Sequence, residues 1–588
     1  MHIWDLIRRQ FLHSSIHTNR QQPQLQSLEE RAVPAATLQV IHNSPFAAAA
    51  VVDVYVNGDK FLDDLAFRDA TKYVEVPNGV PLTIDIVAGN AADNSAPVFT
   101  TTVTLEDNKN YIAVAIGDPS DKTTANKFTL AVTDIGIPAS GDPSKAAVLV
   151  QHGAIGAGTV DVGVRTVGTV VDDLEFGTFD ADYLQLPTIN AVLDVTAPDG
   201  SVRVASFYAD LTGAGGKSLV ALASGFLTPP AATDPGFGIL VVNADGTTAL
   251  LTQVPELPTS TYAAGGVDTA GLSAITLYDN AGTVIRSISD PLGSKVGYRV
   301  ASGDLNGDGV AELIGGYGPG STPTLHVFDG ATGKVLANVQ VFESTFNGGL
   351  FVSLGDFNRD GVFDIVVSPD VSGGPRVRIL DGSKLIADGS LVSLADFFAI
   401  EDPQFFGGVR VGTGDVNDDG IPDLAVGAGF GGGPRVALFN GATVSTAKAP
   451  EKLVSDFFAF ESTLRNGVFV TIGDLNGDFA GDLIFGAGPG GGPRVLGVDG
   501  KTLLASNGAT LTTLTNFFAG NVNARNGVRV SAKDLDGDLL ADLVIGRGAG
   551  DGTTGSVYLG KNLSATAPTV DRTFDPLPNS TNLGLFVG

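Results

Sequence analysis

Asp304-Leu305-Asn306-Gly307-Asp308-Gly309-Val310-Ala311-Glu312 decides how this chain reads, because its pattern returns four more times. The other copies are Asp356-Phe357-Asn358-Arg359-Asp360-Gly361-Val362-Phe363-Asp364, Asp415-Val416-Asn417-Asp418-Asp419-Gly420-Ile421-Pro422-Asp423, Asp474-Leu475-Asn476-Gly477-Asp478-Phe479-Ala480-Gly481-Asp482 and Asp534-Leu535-Asp536-Gly537-Asp538-Leu539-Leu540-Ala541-Asp542. Their first positions are 52, 59, 59 and 60 residues apart. Oxygen-bearing side chains at positions 1, 3, 5 and 9, with a backbone carbonyl near 7, match a hard cation that takes 6 to 8 oxygens at ~2.3–2.6 Å. Glycine at position 6 of the first three copies suits a turn that needs positive φ. The closing acid stands at position 9 and apolar strands flank each copy, so an EF-hand is excluded and each loop joins two strands. The expected ligands are Asp304, Asn306, Asp308 and Glu312; Asp356, Asn358, Asp360 and Asp364; Asp415, Asn417, Asp419 and Asp423; Asp474, Asn476, Asp478 and Asp482; and Asp534, Asp536, Asp538 and Asp542.

The rest of each repeat keeps one order. After the second strand comes a glycine-rich turn into a third, as in Gly373-Gly374-Pro375-Arg376-Val377, Gly432-Gly433-Pro434-Arg435-Val436 and Gly491-Gly492-Pro493-Arg494-Val495. A fourth strand ends in Phe397-Phe398, Phe457-Phe458 or Phe517-Phe518, pairs expected to pack between repeats, with a ligand-stacking surface as the alternative. Four strands in 45–60 residues predict a β-propeller blade. Residues 259–290 supply three strands without a first one, and Asn582-Leu583-Gly584-Leu585-Phe586-Val587-Gly588 matches the first-strand phrase Asn347-Gly348-Gly349-Leu350-Phe351-Val352-Ser353. A six-bladed ring closed by a C-terminal strand follows, its sixth blade without calcium.

The array resembles the FG-GAP and VCBS repeats, the family that includes the calcium-bearing propeller of integrin α chains. That resemblance implies about five structural Ca²⁺ sites and a role in adhesion or glycan binding. Copies four and five carry Phe479 and Leu539 where the family has glycine.

Upstream, two related β segments occupy residues 36–135 and 146–254. Val52-Asp53-Val54-Tyr55-Val56 returns as Val160-Asp161-Val162-Gly163-Val164, Asp63-Asp64-Leu65 as Asp172-Asp173-Leu174, and Tyr73-Val74-Glu75-Val76-Pro77 as Tyr183-Leu184-Gln185-Leu186-Pro187. Alternating strands and the Asn57-Gly58 turn predict two β-sandwiches. The first copy, with Ile41-His42-Asn43-Ser44-Pro45, resembles domain of unknown function 4397. His42 and His152 are equivalent and read as strand-end histidines, and the Asp63-Asp64 and Asp172-Asp173 pairs as solvated turn carboxylates. Residues 1–35 hold the one tryptophan, Trp4, and read as a leader or disordered tail; Leu25 to Ala35 resembles an export signature of bacterial surface proteins.

Composition narrows the function. The 588 residues contain no cysteine, which excludes disulfides and thiolate chemistry, and 35 Lys+Arg against 64 Asp+Glu leave −29, unsuited to nucleic acid. No apolar run reaches the ~18 residues of a membrane span. Sixteen carboxylates stand at the ligand positions, so the remainder carries only −13. The propeller's one histidine, His326, reads as core or surface filler, and Arg376, Arg435 and Arg494 as partners of a neighbouring blade's carboxylates rather than an anion-binding face. The expectation is an all-β, non-catalytic, extracellular or cell-surface calcium-binding adhesion or scaffold protein, residues 255–588 forming the propeller, with a protein or glycan ligand. The alternative is a carbohydrate-active protein, a lectin or a polysaccharide lyase or hydrolase, using the propeller face.

Overall fold

The computed structural model describes residues 36–121, 126–135, 142–164, 168–198, 203–231, 233–254, 261–267, 271–402, 404–478, 480–563, 568–576 and 584–588. Residues 1–35, Thr259, Phe479, Asn582 and Leu583, on which readings above depend, lie outside them.

The described chain is nearly all β. In its first part, Ala36–His42 pairs antiparallel with Val74–Val76 and parallel with Asn110–Ile116, which continues to Thr129–Thr133. A second sheet orders Asp59–Ala66, Val51–Val56, Pro81–Ala88 and Phe99–Thr104. Asn57 and Gly58 make its hairpin at φ 53° and 88°, the left-handed pair that matches strand twist. Val52, Val54, Ile84 and Ile86 bury one face of this sheet against Ala115 and Phe128 of the first.

Residues 145–250 repeat the arrangement. Lys145–His152 lies parallel to Ser218–Ser224, and Gly168–Leu174, Val160–Val164, Asn190–Thr196 and Arg203–Asp210 form the facing sheet. Alternation alone does not reveal the parallel pairs, because a strand buried on both faces reads as a continuous apolar run. The two copies also share a core: Ile41, Ile112 and Ile116 pack with Leu149, Val220 and Leu222.

Six four-stranded antiparallel sheets follow. Five are continuous in sequence, with first strands Tyr298–Gly303, Leu350–Gly355, Val409–Gly414, Val468–Gly473 and Val528–Lys533. The sixth orders Val284–Ser289, Ser273–Tyr278, Tyr262–Val267 and Phe586–Val587, so the C-terminus supplies the strand missing from residues 262–289. Its register is Ala264 with Val587 and Gly265 with Phe586. Each first strand lies against the first strand of the next sheet, and Phe586–Val587 lies against both Val528–Lys533 and Tyr298–Gly303.

The phenylalanine pairs divide. Phe397, Phe457 and Phe517 are buried and reach Phe439, Phe485 and Tyr558 of the following sheet at 5.2, 6.1 and 5.0 Å between ring centroids. Phe398, Phe458 and Phe518 are 66%, 45% and 50% exposed, so packing between sheets accounts for only the first member of each pair. Two short helices outside the all-β expectation, Gly382–Asp388 and Gly500–Ala505, connect third strands to fourth. Asp381 and Asp499 cap them, accepting from the N–H groups of Lys384 and Thr502.

Candidate metal loops and the cavity beside them

All five acidic loops sit between first and second strands at one end of the sheets. Position 1 organises each turn. Asp304 accepts N–H bonds from Gly307 and Gly309 at 2.7 and 2.8 Å, Asp415 from Asp419 and Gly420 at 3.1 and 2.7 Å, and Asp534 from Gly537 and Leu539 at 2.8 and 3.2 Å. Asn306, Asn358, Asn417 and Asn476 turn their side-chain oxygens inward to the N–H two residues on. Leu539 is held at φ +69°, a conformation glycine adopts freely and leucine does not.

Position 9 ties the loop to the rest of its sheet. Asp364 accepts from Phe357 N–H at 2.9 Å and Gly382 N–H at 3.2 Å; Asp423, Asp482 and Asp542 repeat this with Gly441, Gly500 and Gly560 at 3.0, 2.9 and 2.6 Å. A β-carbon on Gly382 would stand 1.9 Å from the Phe363 carbonyl oxygen, and one on Gly441 1.8 Å from that of Pro422. Only glycine permits this approach. The recurring Asp/Asn-Gly of the third-to-fourth connection, seen in Asp329-Gly330, Asp381-Gly382, Asn440-Gly441 and Asp499-Gly500, is therefore part of the site, and the sequence reading missed it. Its period was the available signal. Oxygens of Asp329, Asp308 and Glu312 lie within 4.8 Å of one another, as do those of Asp534, Asp536 and Asp542.

These carboxyls are costly as anions. Burial, opposed by backbone N–H bonds and reinforced by neighbouring acids, pushes Asp364 up to about 8 and Asp423, Asp482, Asp542 and Glu312 up to about 7. Asp356 and Asp534 rise to about 6, and Asp415 rises well above its usual range, burial again the largest cause. Among the described residues no Lys or Arg ion pair reaches the ligand carboxylates of loops one to three. Loops four and five have their own cations: Lys501 lies 3.6 Å from Asp478, Arg203 lies 3.4 Å from Asp534, and Lys561 pairs with Asp536. The donors are all oxygen, with no thiolate or imidazole, a set that fits Ca²⁺. A carboxylate oxygen that accepts one N–H keeps a second lone pair for an ion.

Beside the loops a cavity of about 350 Å³ runs between the first strands. The second N-terminal copy lines it with Val192, Asp194, Arg203, Tyr208 and Val254. Lys533 stands where the other first strands end in Gly303, Gly355, Gly414 and Gly473, and its ammonium donates to the Ser302 carbonyl at 2.9 Å. Burial lowers it to about 8.

The remaining sequence candidates are accounted for locally. His42 and His152 end their strands, buried, with Nε2 on the carbonyls of Ala49 and Gly158. His326 packs among Tyr298, Tyr317 and Phe328, and burial holds it down at about 4. Asp63, Asp64, Asp172 and Asp173 are exposed; Lys60 bridges Asp53 and Asp63 at 2.7 Å. The arginines pair nearer home than expected: Arg376 with Asp396 of its own sheet and Glu343 in the connection from the preceding one, Arg435 with Asp456 beside the fourth strand of its own sheet, and Arg494 with Glu461 in the connection from the preceding sheet.

Residues 36–163 match the family described as domain of unknown function (DUF4397). The chain is 27% identical to integrin alpha-8 of Gallus gallus over 216 residues, 33% of this chain and 20% of the relative. It is 28% identical to integrin alpha-IIb of Mus musculus over 266 residues, 40% of this chain and 23% of the relative. The chain thus spans about a fifth of the length of these curated relatives. Solved structures that align include an Agrocybe aegerita lectin described as recognising non-reducing terminal N-acetylglucosamine, with 14% identity, TM-score 0.31 and 60% and 92% of the two chains covered. A Bacillus licheniformis rhamnogalacturonan lyase aligns with 14% identity, TM-score 0.26 and coverage of 73% and 76%. No helix of the described residues is long and apolar enough to cross a membrane.

Proposed function

We propose that residues 262–588 form a six-bladed β-propeller, that its acidic loops hold Ca²⁺ as a structural ion, and that two β-sandwiches precede it in a non-catalytic adhesion or scaffold protein. One observation carries the calcium reading. Loops one to three bury carboxylates at position 9 with no basic partner among the described residues, and a divalent cation supplies the missing charge. Asp304, Asn306, Asp308 and Glu312, Asp356, Asn358, Asp360 and Asp364, and Asp415, Asn417, Asp419 and Asp423 are the ligand sets assigned to it, with Asp329 adjoining the first. Loops four and five are the weaker sites because Lys501, Arg203 and Lys561 already offset part of their charge.

Similarity to integrin alpha chains supports adhesion at a cell surface, and modest-affinity loops suit that location. Extracellular calcium modules bind at ~10⁻⁴–10⁻³ M, so such loops fill outside a cell and empty in cytosol. A calorimetric melt of the full chain tests this: millimolar calcium raises the transition and a chelator lowers it. An unchanged transition removes the calcium assignment.

A second reading rests on Phe398, Phe458 and Phe518, three exposed rings at the end opposite the loops, each two residues after Asp396, Asp456 or Asn516, which contact Arg376, Arg435 and Arg494. Exposed rings beside paired polar groups suit stacking on sugar faces. Glycan-array binding lost on Phe→Ala at all three supports it; no glycan bound leaves the protein-ligand reading.

A further inference from the structure

At the centre of the six sheets the first strands alternate two residue types. The series runs Tyr298-Arg299-Val300, Leu350-Phe351-Val352, Val409-Arg410-Val411, Val468-Phe469-Val470, Val528-Arg529-Val530 and Leu585-Phe586-Val587. Each guanidinium lies over two phenyl rings: Arg299 over Phe586 and Phe351 at 4.4 and 5.8 Å, Arg410 over Phe469 and Phe351 at 4.2 and 5.8 Å, and Arg529 over Phe586 and Phe469 at 4.9 and 5.2 Å. The circuit closes on itself. In the five sheets that carry an acidic loop these positions precede it by five residues, about 16 Å at ~3.3 Å per residue, so the cluster is separate from the metal loops.

The charge in this layer does not balance. Arg299, Arg410 and Arg529 are 9%, 5% and 7% exposed. Among the described residues their one ion pair is Arg299 with Asp370 at 3.0 Å. Arg410 Nη1 has only the carbonyls of Ala428 and Val468 at 3.3 and 3.5 Å, and Arg529 Nη1 that of Asn526 at 3.3 Å. The Nε of all three is buried without a hydrogen-bond partner among the described residues. Burial lowers Arg410 to about 10, opposed by Asp370 and reinforced by Arg299, and lowers Arg529 to about 9, reinforced by Arg410 and Arg299 and opposed by Asp370 and Asp551. A guanidinium nonetheless keeps its proton at neutral pH. Buried charge of one sign is retained where something of the other sign meets it, and aromatic faces compensate a cation only in part.

We propose that the arginine layer is an anion site, taking a free oxyanion of carboxylate or sulfate type onto Arg410 and Arg529, the two guanidiniums of the layer with no ion pair among the described residues. The planar forks of two guanidiniums suit such a group. This rests on neither the calcium assignment nor the adhesion reading.

The test is isothermal titration of the calcium-loaded full chain with sodium sulfate and, separately, sodium acetate, ionic strength held constant. Saturable one-to-one heat with either anion is expected; sulfate alone defines a tetrahedral site and acetate alone a carboxylate site. Arg410→Met and Arg529→Met should each weaken binding at least tenfold, whereas Arg435→Gln, at the start of a third strand, should leave it unchanged. Circular dichroism checks the fold of each variant, and the wild-type titration decides by itself if a variant does not fold. No saturable heat with either anion, or unchanged binding in both methionine variants, overturns the proposal.

Discussion

Replacing Asp364 by asparagine should stabilise the calcium-free protein and lose part of that advantage when calcium is added. In the calcium-free protein the buried carboxyl is pushed up to about 8, against an ordinary 3.8. At pH 7.5 that displacement destabilises the folded chain by on the order of 5 kcal/mol, at ~1.4 kcal/mol per unit. Asparagine removes this cost but keeps only one acceptor oxygen for the N–H groups of Phe357 and Gly382, now at 2.9 and 3.2 Å, a loss of about 1–3 kcal/mol. The chelated variant should therefore be more stable than wild type by about 2–4 kcal/mol. With calcium the gap narrows, because wild type gains about 1.4 kcal/mol at ten times Kd, the saturation millimolar calcium reaches for such loops, and the variant forfeits it at this loop. Scanning calorimetry of both full chains, in chelator and in millimolar calcium, reads the narrowing. A variant below wild type by the same margin in both buffers would show Asp364 to be a hydrogen-bond acceptor and no metal ligand.

The chelated protein should lose stability as pH rises from about 4 to 8, because Glu312, Asp364, Asp423, Asp482 and Asp542 have folded values raised above their unfolded ones and bind protons the unfolded chain has released; calcium should flatten that slope in pH-dependent melts. His326 acts with the opposite sign: its folded value is depressed to about 4 from 6.5, so its contribution is complete above 6.5 and falls by about 3 kcal/mol as pH drops to 4, a loss His326→Leu should abolish in calcium-loaded melts. Arg203→Ala should free Asp534 and tighten calcium at loop five, visible as an added or stronger site in calorimetric titration; unchanged stoichiometry and affinity would refute competition by the guanidinium. Phe586→Ala should cost about 3–5 kcal/mol in denaturant unfolding, because its ring packs against Arg299 and Arg529 and completes the sixth sheet.

The parts of this fold that were legible in the sequence are those that repeat at every sheet. Loop, second strand, glycine-rich turn and third strand recur near a 59-residue period, and the C-terminal strand was found because its phrase matched a first strand. Three features escaped for physical reasons. Arg203 contacts Asp534 across 331 residues, and no local pattern encodes a contact between separate units. The Asp-Gly connection looks like any turn until Gly382 is seen against the Phe363 carbonyl. Basic partners of loops four and five, Lys501 and Lys561, lie 23 and 25 residues beyond the acids they meet, in a different connection of the same sheet.

The arginine layer escaped for another reason: its period is two sheets. Packing demands are the same at each sheet, which is why valine follows at Val300, Val352, Val411, Val470, Val530 and Val587 without exception. An alternation of arginine and phenylalanine cannot arise from that demand. It requires every guanidinium to have an aromatic face on both sides, and such an alternation closes only around an even number of sheets. Five would set two like residues side by side at the seam. The C-terminal strand resolves this by bringing Phe586 between Arg529 and Arg299, at 4.9 and 4.4 Å. The closing strand therefore does two things in one residue: it pairs with the free edge of Tyr262–Val267, and it separates two buried cations that would otherwise adjoin. Deleting residues 584–588 should in consequence cost more than an exposed edge alone, and substituting Arg529→Met in the truncated chain should recover part of the loss in denaturant unfolding. Absence of that recovery would mean that edge pairing, and not charge separation, fixes the sixth strand.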